Sequence, residues 1–223
     1  MDLLKDGLKL LEVPENIIEN IAPKMEAYIN EIILYNSAYN LTNTSDHDEL
    51  VTRHILDSLS TYKIINSIIV EKQAEAQEKG EEIFIGDIGS GGGLPGIPLA
   101  SAFPRVRFNL VERMSKRCAF LENCCAVLGL KNVDVVNSEA ERIEPESYDM
   151  ITFRAFRPLD KKMTKTLLRI VKDGGVLCAY KAKYDNIIEE MDGIKDIVSS
   201  YKIEKLTVPG LNDSERNLVM INK

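Results

Sequence analysis

Residues 83–98, Ile83-Phe84-Ile85-Gly86-Asp87-Ile88-Gly89-Ser90-Gly91-Gly92-Gly93-Leu94-Pro95-Gly96-Ile97-Pro98, decide the fold. A short apolar run of strand type meets a loop with four glycines, and a helical segment follows. Glycine lacks a Cβ, so such a loop turns sharply and lets a ligand approach its backbone at the carboxyl end of a strand. A Walker loop is excluded, because no Lys-Ser or Lys-Thr follows the glycines. The G-x-G-x-x-G of dinucleotide folds does not match either. The order here is D-x-G-x-G-x-G, and Pro95 and Pro98 intrude at the helix start. An acid in that position suits a cationic ligand group and opposes a pyrophosphate.

Outward from this loop, residues 106–111, 132–137, 148–153 and 175–180 read, like 83–88, as strands. Two more are predicted near 201–208 and 216–222. Helical segments fall at about 96–103, 115–129, 139–143 and 159–171, with another at 184–198. This alternation implies right-handed βαβ crossovers and a mainly parallel, Rossmann-like α/β sheet of seven strands covered on both faces. The short polar link Pro-Gly-Leu-Asn-Asp-Ser-Glu-Arg makes the last two strands an antiparallel hairpin at or near the sheet edge.

Residues 1–80 differ in texture and are predicted to form a helical extension packed on the 81–223 domain. Ile17, Ile18, Ile21, Met25, Tyr28, Ile29, Ile32 and Ile33 recur at the steps of one helix face. Residues 36–44 are polar and turn-prone, and Ser45 with Asp48 and Glu49 resembles a capping signal for a second helix reaching about Val70. The charged stretch 71–82 is either a solvated helix end or a connector.

The chain has 223 residues, 44% hydrophobic and 28% charged, which suits one large domain with a small appendage. No apolar run approaches the roughly 20 residues of a membrane span. Residues 1–12 mix acids with leucines, unlike a signal peptide, so a cytoplasmic protein is expected. The four cysteines fit no zinc spacing, and Cys118, Cys124 and Cys125 read as buried thiols of one helix. A net charge of −7 excludes a generally cationic nucleic-acid coat protein but not an enzyme with a local basic face.

Glu112 ends the second strand, where a carboxylate can accept both ribose hydroxyls of an adenosyl group. Beyond the third strand, residues 138–141 (Ser-Glu-Ala-Glu) would reach the adenine edge. NAD enzymes share the Glu112 feature, which supports an adenosine ligand without choosing between the two cofactors, while Asp87 and the proline-flanked helix favour S-adenosylmethionine over NAD. Asp87 then stands near the amino end of S-adenosylmethionine, or else serves as a loop-bracing carboxylate. At the fourth strand end, Arg154 and Arg157 alternate with Phe153 and Phe156. Neither an Asn/Asp-Pro-Pro-aromatic motif nor a cysteine nucleophile stands there, whereas arginines can hold phosphate or guanine acceptors and aromatics can stack an unpaired base.

Residues 153–172 hold seven basic side chains (Arg154, Arg157, Lys161, Lys162, Lys165, Arg169 and Lys172) against the single acid Asp160. Arg105, Arg107, Arg113, Lys116 and Arg117 are read as a second cluster around Glu112. Either alone could be a solvated face. Two clusters flanking one ligand mouth point to a polyanionic partner.

Several motifs together resemble the GidB (RsmG) methyltransferase family. They are Asn40-Leu41-Thr42, Arg53-His54-x-x-Asp57-Ser58, the glycine loop through Pro98, Lys116-Arg117-x-x-Phe120-Leu121, Arg154-Ala155, Lys181 and Arg216-Asn217-Leu218-Val219. The resemblance implies a class I S-adenosylmethionine-dependent fold and methylation of N7 of one guanine in bacterial 16S ribosomal RNA. It implies cofactor contacts at Gly89, Leu94, Ala140, Glu141 and Arg154, to which the residue chemistry adds Asp87, Gly91 and Glu112. Candidate RNA contacts are Arg53, His54, Arg113, Lys116, Arg117, Arg157, Lys181 and Arg216. His54 can equally be a packing or capping residue.

Guanine N7 carries an in-plane lone pair and no proton. No general base or covalent intermediate is therefore required, and Arg154 is expected to act by positioning. No metal and no obligate protein partner is expected, and the chain should be a monomer. Two other readings compete: a methyltransferase of a protein or small molecule, and a non-catalytic ribosome-binding protein with a retained cofactor pocket.

Overall fold

The computed structural model describes residues 2–155 and 157–223, with the side chain of Lys79 left aside. Phe156, one of the two aromatics named above, lies outside the described residues. Seven strands form one sheet: β1 (Phe84–Ile88), β2 (Arg107–Glu112), β3 (Val133–Asn137), β4 (Tyr148–Arg154), β5 (Val171–Lys181), β6 (Lys202–Leu206) and β7 (Arg216–Asn222). Their order is β3-β2-β1-β4-β5-β7-β6. The first five run parallel, whereas β7 pairs antiparallel with both β5 and β6. The expected terminal hairpin is present, inserted so that β6 forms the edge.

Alternation along the strands serves two cores. Ile85, Leu110 and Met150 face one side, which is packed by α6 (Gly96–Ala102), α7 (Ser115–Leu128) and the N-terminal helices. Ile88, Val111, Ile151 and Phe153 face the other, covered by α8 (Lys161–Ile170) and α9 (Tyr184–Gly193). The predicted 139–143 helix is one 3₁₀ turn, Ala140–Arg142. Asp160 caps α8 by accepting from Met163 N at 2.7 Å, so the helix starts two residues later than predicted. β5 begins four residues earlier than predicted, as Val171 pairs with Tyr148 across an irregularity in the ladder.

The N-terminal region comprises α1 (Leu3–Leu10), α2 (Glu15–Tyr39), α3 (His47–Leu50), a π-helical turn (Val51–Leu56), α4 (Asp57–Leu59) and α5 (Tyr62–Lys79). Its Leu4, Ile18, Met25 and Leu59 belong to the same apolar cluster as Ile85 and Leu110, so these helices share the core of the sheet. The cap of α3 is Asp46, which accepts from Glu49 N at 2.9 Å, and not Ser45, whose Oγ accepts from Asn36. The predicted second helix is interrupted after Leu59. There the Ser60 and Thr61 hydroxyls donate to the carbonyls of Asp57 and Ser58, a local bonding pattern that competes with the helix. Of the two readings of 71–82, the helix end is the observed one, since α5 continues to Lys79 and Gly80 closes it in the left-handed conformation.

Strand order reverses between β1 and its two neighbours, β2 and β4. In open α/β sheets the crevice outside the carboxyl ends at such a point accepts ligands.

Candidate active site

The glycine loop leaves β1 at that crevice. Gly89 N and Ser90 N both donate to the carbonyl of Val111, at 2.8 and 3.1 Å, which pins the loop to β2. Gly89, Gly91 and Gly93 have φ of 70°, 58° and 92°, a region that favours glycine. From the other side Tyr28 of α2 donates its hydroxyl to the carbonyl of Gly92. Leu41 packs against Gly92, in a turn organised by Asn36. The Asn36 Oδ1 accepts from Leu41 N (2.8 Å) and Thr42 N (2.9 Å), while its Nδ2 donates to Thr44 O and Ser45 Oγ.

Asp87 takes the bracing role. Its side chain is 1% exposed, with Oδ2 accepting from Gly96 N at 3.1 Å and Oδ1 from Thr152 Oγ1 at 3.3 Å. It lies behind the loop and lines neither cavity described below, which matches the loop-bracing alternative. Burial is the main reason its carboxyl is pushed from 3.8 up to about 6.

Two cavities open in the crevice. The smaller, about 230 Å³, is walled by Glu112, Arg113, Ala140 and Glu141 among others. The larger, about 1000 Å³, is walled by the 40–44 turn, Gly91, Leu94, Arg53, His54, Asp57, Arg154, Lys181 and Arg216 among others. Gly89, Arg117, Ala155 and Arg157 line both and mark the junction. Ala155 has φ 50°, a left-handed conformation that costs a non-glycine residue energy and clusters at functional sites. Glu112 is 4% exposed and holds the junction in shape, with Oε2 accepting from Gly91 N (3.0 Å) and Oε1 from Met114 N (2.9 Å).

The larger cavity is rimmed by an ion network. Asp57, 3% exposed, accepts from Arg154 Nη1 at 2.7 Å and from Arg216 Nε at 3.1 Å. Arg154 also donates to the Arg53 carbonyl and, through Nη2, to His54 Nδ1 at 3.0 Å. His54 thus lines the cavity rather than packing away from it. Tyr180 donates to Ser58 O at 2.9 Å, and Ser58 Oγ donates to His54 O, which ties the π-turn to β5. Such π-turns recur at functional sites. Lys181 bonds Glu190 at 2.5 Å and stands 5.8 Å from the centre of the Phe153 ring.

The model of the rRNA small subunit methyltransferase G family, GidB, matches residues 21–219. The chain belongs to the GidB family. It is 38% identical over 239 residues to the ribosomal RNA small subunit methyltransferase G of Treponema denticola, covering 99% of this chain and 94% of that one. It is 34% identical over 208 residues to the protein of that name from Neisseria meningitidis, covering 93% and 92%. Among solved structures, a predicted O-methyltransferase from Agrobacterium tumefaciens superposes with a TM-score of 0.52 at 18% identity, covering 63% of this chain and 74% of that one. A tRNA (m1A58) methyltransferase from Aquifex aeolicus gives 0.51 at 11% identity, covering 63% and 62%. At such identities the likeness is of fold, and that fold is the class I methyltransferase fold.

As a GidB-family member the chain is a methyltransferase that uses S-adenosylmethionine. The crevice suits that group. Glu112 keeps free lone pairs at the small cavity, and Arg117 Nε is buried at the junction with no hydrogen-bond partner among the described residues. The cofactor contacts implied by the GidB resemblance all line at least one of the two cavities, as do Gly91 and Glu112 but not Asp87 among those added from residue chemistry. Of the RNA candidates, Lys116 alone lines neither and stands exposed on α7.

The two basic clusters are corrected. Arg105 and Arg107 lie at the amino end of β2, opposite Glu112 at its carboxyl end, and Arg107 pairs there with Asp134 at 3.0 Å. In the other cluster Arg169 donates to the carbonyls of Ala140, Glu141 and Ile143, and Lys172 pairs with Asp149. Only Arg154 and Arg157 of that cluster reach the cavities. Site residues not anticipated are Asp57, Asn36, Tyr28 and Glu190. Asp57 lay within a quoted motif, and its pairing partners came only from the fold.

Proposed function

We propose that this protein transfers the methyl group of S-adenosylmethionine to N7 of a guanine in 16S ribosomal RNA. The observation that carries the reading is the rim of Arg53, Arg154, Arg157, Lys181 and Arg216 around the larger cavity, continuous with the Glu112 pocket. Relatives carry the small-subunit rRNA name, and a cationic rim suits a phosphate-bearing acceptor. Among the described residues no helix is long and apolar enough to cross a membrane. A monomer working in the cytoplasm completes the reading, and light scattering in solution checks the first part.

The bound donor supplies an electrophilic methyl on a sulfonium that is already a good leaving group. Glu112 accepts hydroxyls at the small cavity, while the loop from Gly89 to Gly91 offers backbone in close approach. Arg154, fixed by Asp57, orients the reacting groups from the larger-cavity side of the junction. Arg157, Lys181 and Arg216 hold acceptor phosphates or base edges. The four cysteines line neither cavity, and burial raises the thiols of Cys124, Cys125 and Cys178, so nucleophilic thiol catalysis has no candidate here. The lone pair of N7 attacks without losing a proton, so the protein's contribution is alignment and exclusion of water, where effective molarities supply about 7–11 kcal/mol.

The test is transfer of labelled methyl to 16S RNA, both naked and in small subunits from cells lacking the modification, with cleavage mapping at 7-methylguanine. One labelled guanine supports the reading. Label elsewhere removes the N7 assignment, and no label with donor bound removes the reaction.

A further inference from the structure

The cationic rim contains one ring kept uncharged. His54 sits on the π-turn beside Arg53, with Arg154 and Arg216 opposite and Asp57 one turn along. Burial first, then the charges of Arg154, Arg53 and Arg216, pull its imidazole from 6.5 down to about 4. The Arg154 guanidinium only donates, so His54 Nδ1, 3.0 Å from Nη2, accepts. The ring proton is therefore on Nε2, at the opposite edge of an imidazole that lines the larger cavity.

A phosphate has five arginines and a lysine to choose from around this cavity, and charge-assisted bonds outcompete a neutral N–H. The acceptor that matches a single neutral N–H is a carbonyl oxygen. Guanine presents one, O6, directly beside N7 on the same edge. An imidazolium in that place would offer a proton to the N7 lone pair that must attack carbon. A neutral ring with its proton on Nε2 binds O6 and leaves N7 free.

We propose that His54 is a specificity-determining residue whose Nε2–H donates to O6 of the guanine presented for methylation. This rests on the guanine reading above. The same donor faces an amino group on adenine, and that mismatch leaves two donors opposed.

The experiment uses the full chain with small subunits reconstituted to carry either guanine or 2-aminopurine, which keeps N7 and lacks O6, at the target. Wild type on 2-aminopurine should fall about 10–100-fold in kcat/KM, the scale of one donor left without its acceptor. His54→Leu should fall by a similar factor on guanine at unchanged donor affinity and show no further loss on 2-aminopurine. His54→Gln, which restores an N–H, should recover most of the rate. Wild-type labelling of guanine N7 in the same series reports on the reaction itself, separately from the ratios. Equal rates on the two bases for wild type, or a His54→Leu loss undiminished on 2-aminopurine, overturns the assignment.

Discussion

Asp57 and Arg154 are 97 residues apart in the chain and meet at 2.7 Å, carboxylate to guanidinium, where the π-turn faces the end of β4. The other oxygen of the same carboxylate receives Arg216 from β7. One buried acid therefore sets the positions of two arginines at the mouth of the larger cavity.

Asp57→Asn tests that dependence. The amide oxygen can still accept from Arg154, but its NH₂ then faces the Arg216 guanidinium, donor against donor. Methylation should drop about 10–100-fold through misplacement of Arg154. Chemical denaturation should show a loss of about 1–3 kcal/mol, because the guanidiniums are largely buried. Unchanged turnover would detach Asp57 from the site.

Tyr28→Phe removes the donor to Gly92 O and nothing else of size. The buried carbonyl is left unpaired, at a cost of about 1–2 kcal/mol in stability. The loosened glycine loop should raise the donor Kd several-fold in a calorimetric titration, with the RNA affinity unaltered.

Gly96→Ala would ordinarily favour a helix by up to about 1 kcal/mol. Here the added Cβ would stand 2.4 Å from a Leu110 methyl and 2.5 Å from Asp87 Oδ2. Overpacking wins, at about 1–3 kcal/mol or more. Thermal melting should show the loss, and donor binding should weaken as Asp87 is displaced from Gly96 N.

Asp87 and His54 give opposing pH dependences. The Asp87 carboxyl has a raised value, about 6 against 3.8, so its favourable term is complete below 3.8 and is lost as pH rises to about 6. The His54 ring has a lowered value, about 4 against 6.5, so its term is complete above 6.5 and is lost as pH falls to about 4. Each is worth about 3 kcal/mol at most, and across pH 4–6.5 they offset one another. Asp87→Asn keeps both bonds, by accepting from Gly96 N and donating to Thr152. It should lose stability relative to wild type as pH falls from 6.5 to 4, in urea titrations at several pH values. His54→Gln should show the opposite slope.

Much of the architecture could be read directly from residue patterns. Short β-branched or apolar runs marked every strand, and the glycine loop placed the crevice, because strand patterning and backbone freedom are local properties. The polar link before Arg216 gave the terminal hairpin, again a local signal. What escaped the sequence depends on where strand ends fall in space. Arg107 and Glu112 are five residues apart and look like neighbours, yet a strand sends them to opposite edges of the sheet. Asp87 is close to the cavities in the chain, but Thr152 and Gly96 hold its carboxylate behind the loop. The break after Leu59 turned on hydroxyl bonding at Ser60 and Thr61 that outweighed a good apolar period. His54 could not be assigned without Arg154, which arrives from another element.

The insertion of β7 between β5 and β6 bears on the order of synthesis. Asp57 emerges from the ribosome 159 residues ahead of Arg216, and until β7 docks, β5 presents an open edge where six ladder partners will stand. A nascent chain halted before residue 216 has every glycine of the loop and both cavities' inner walls, but an unfinished sheet and half of Asp57's partners. A stop codon just ahead of residue 216 should therefore be as damaging as one ahead of the glycine loop.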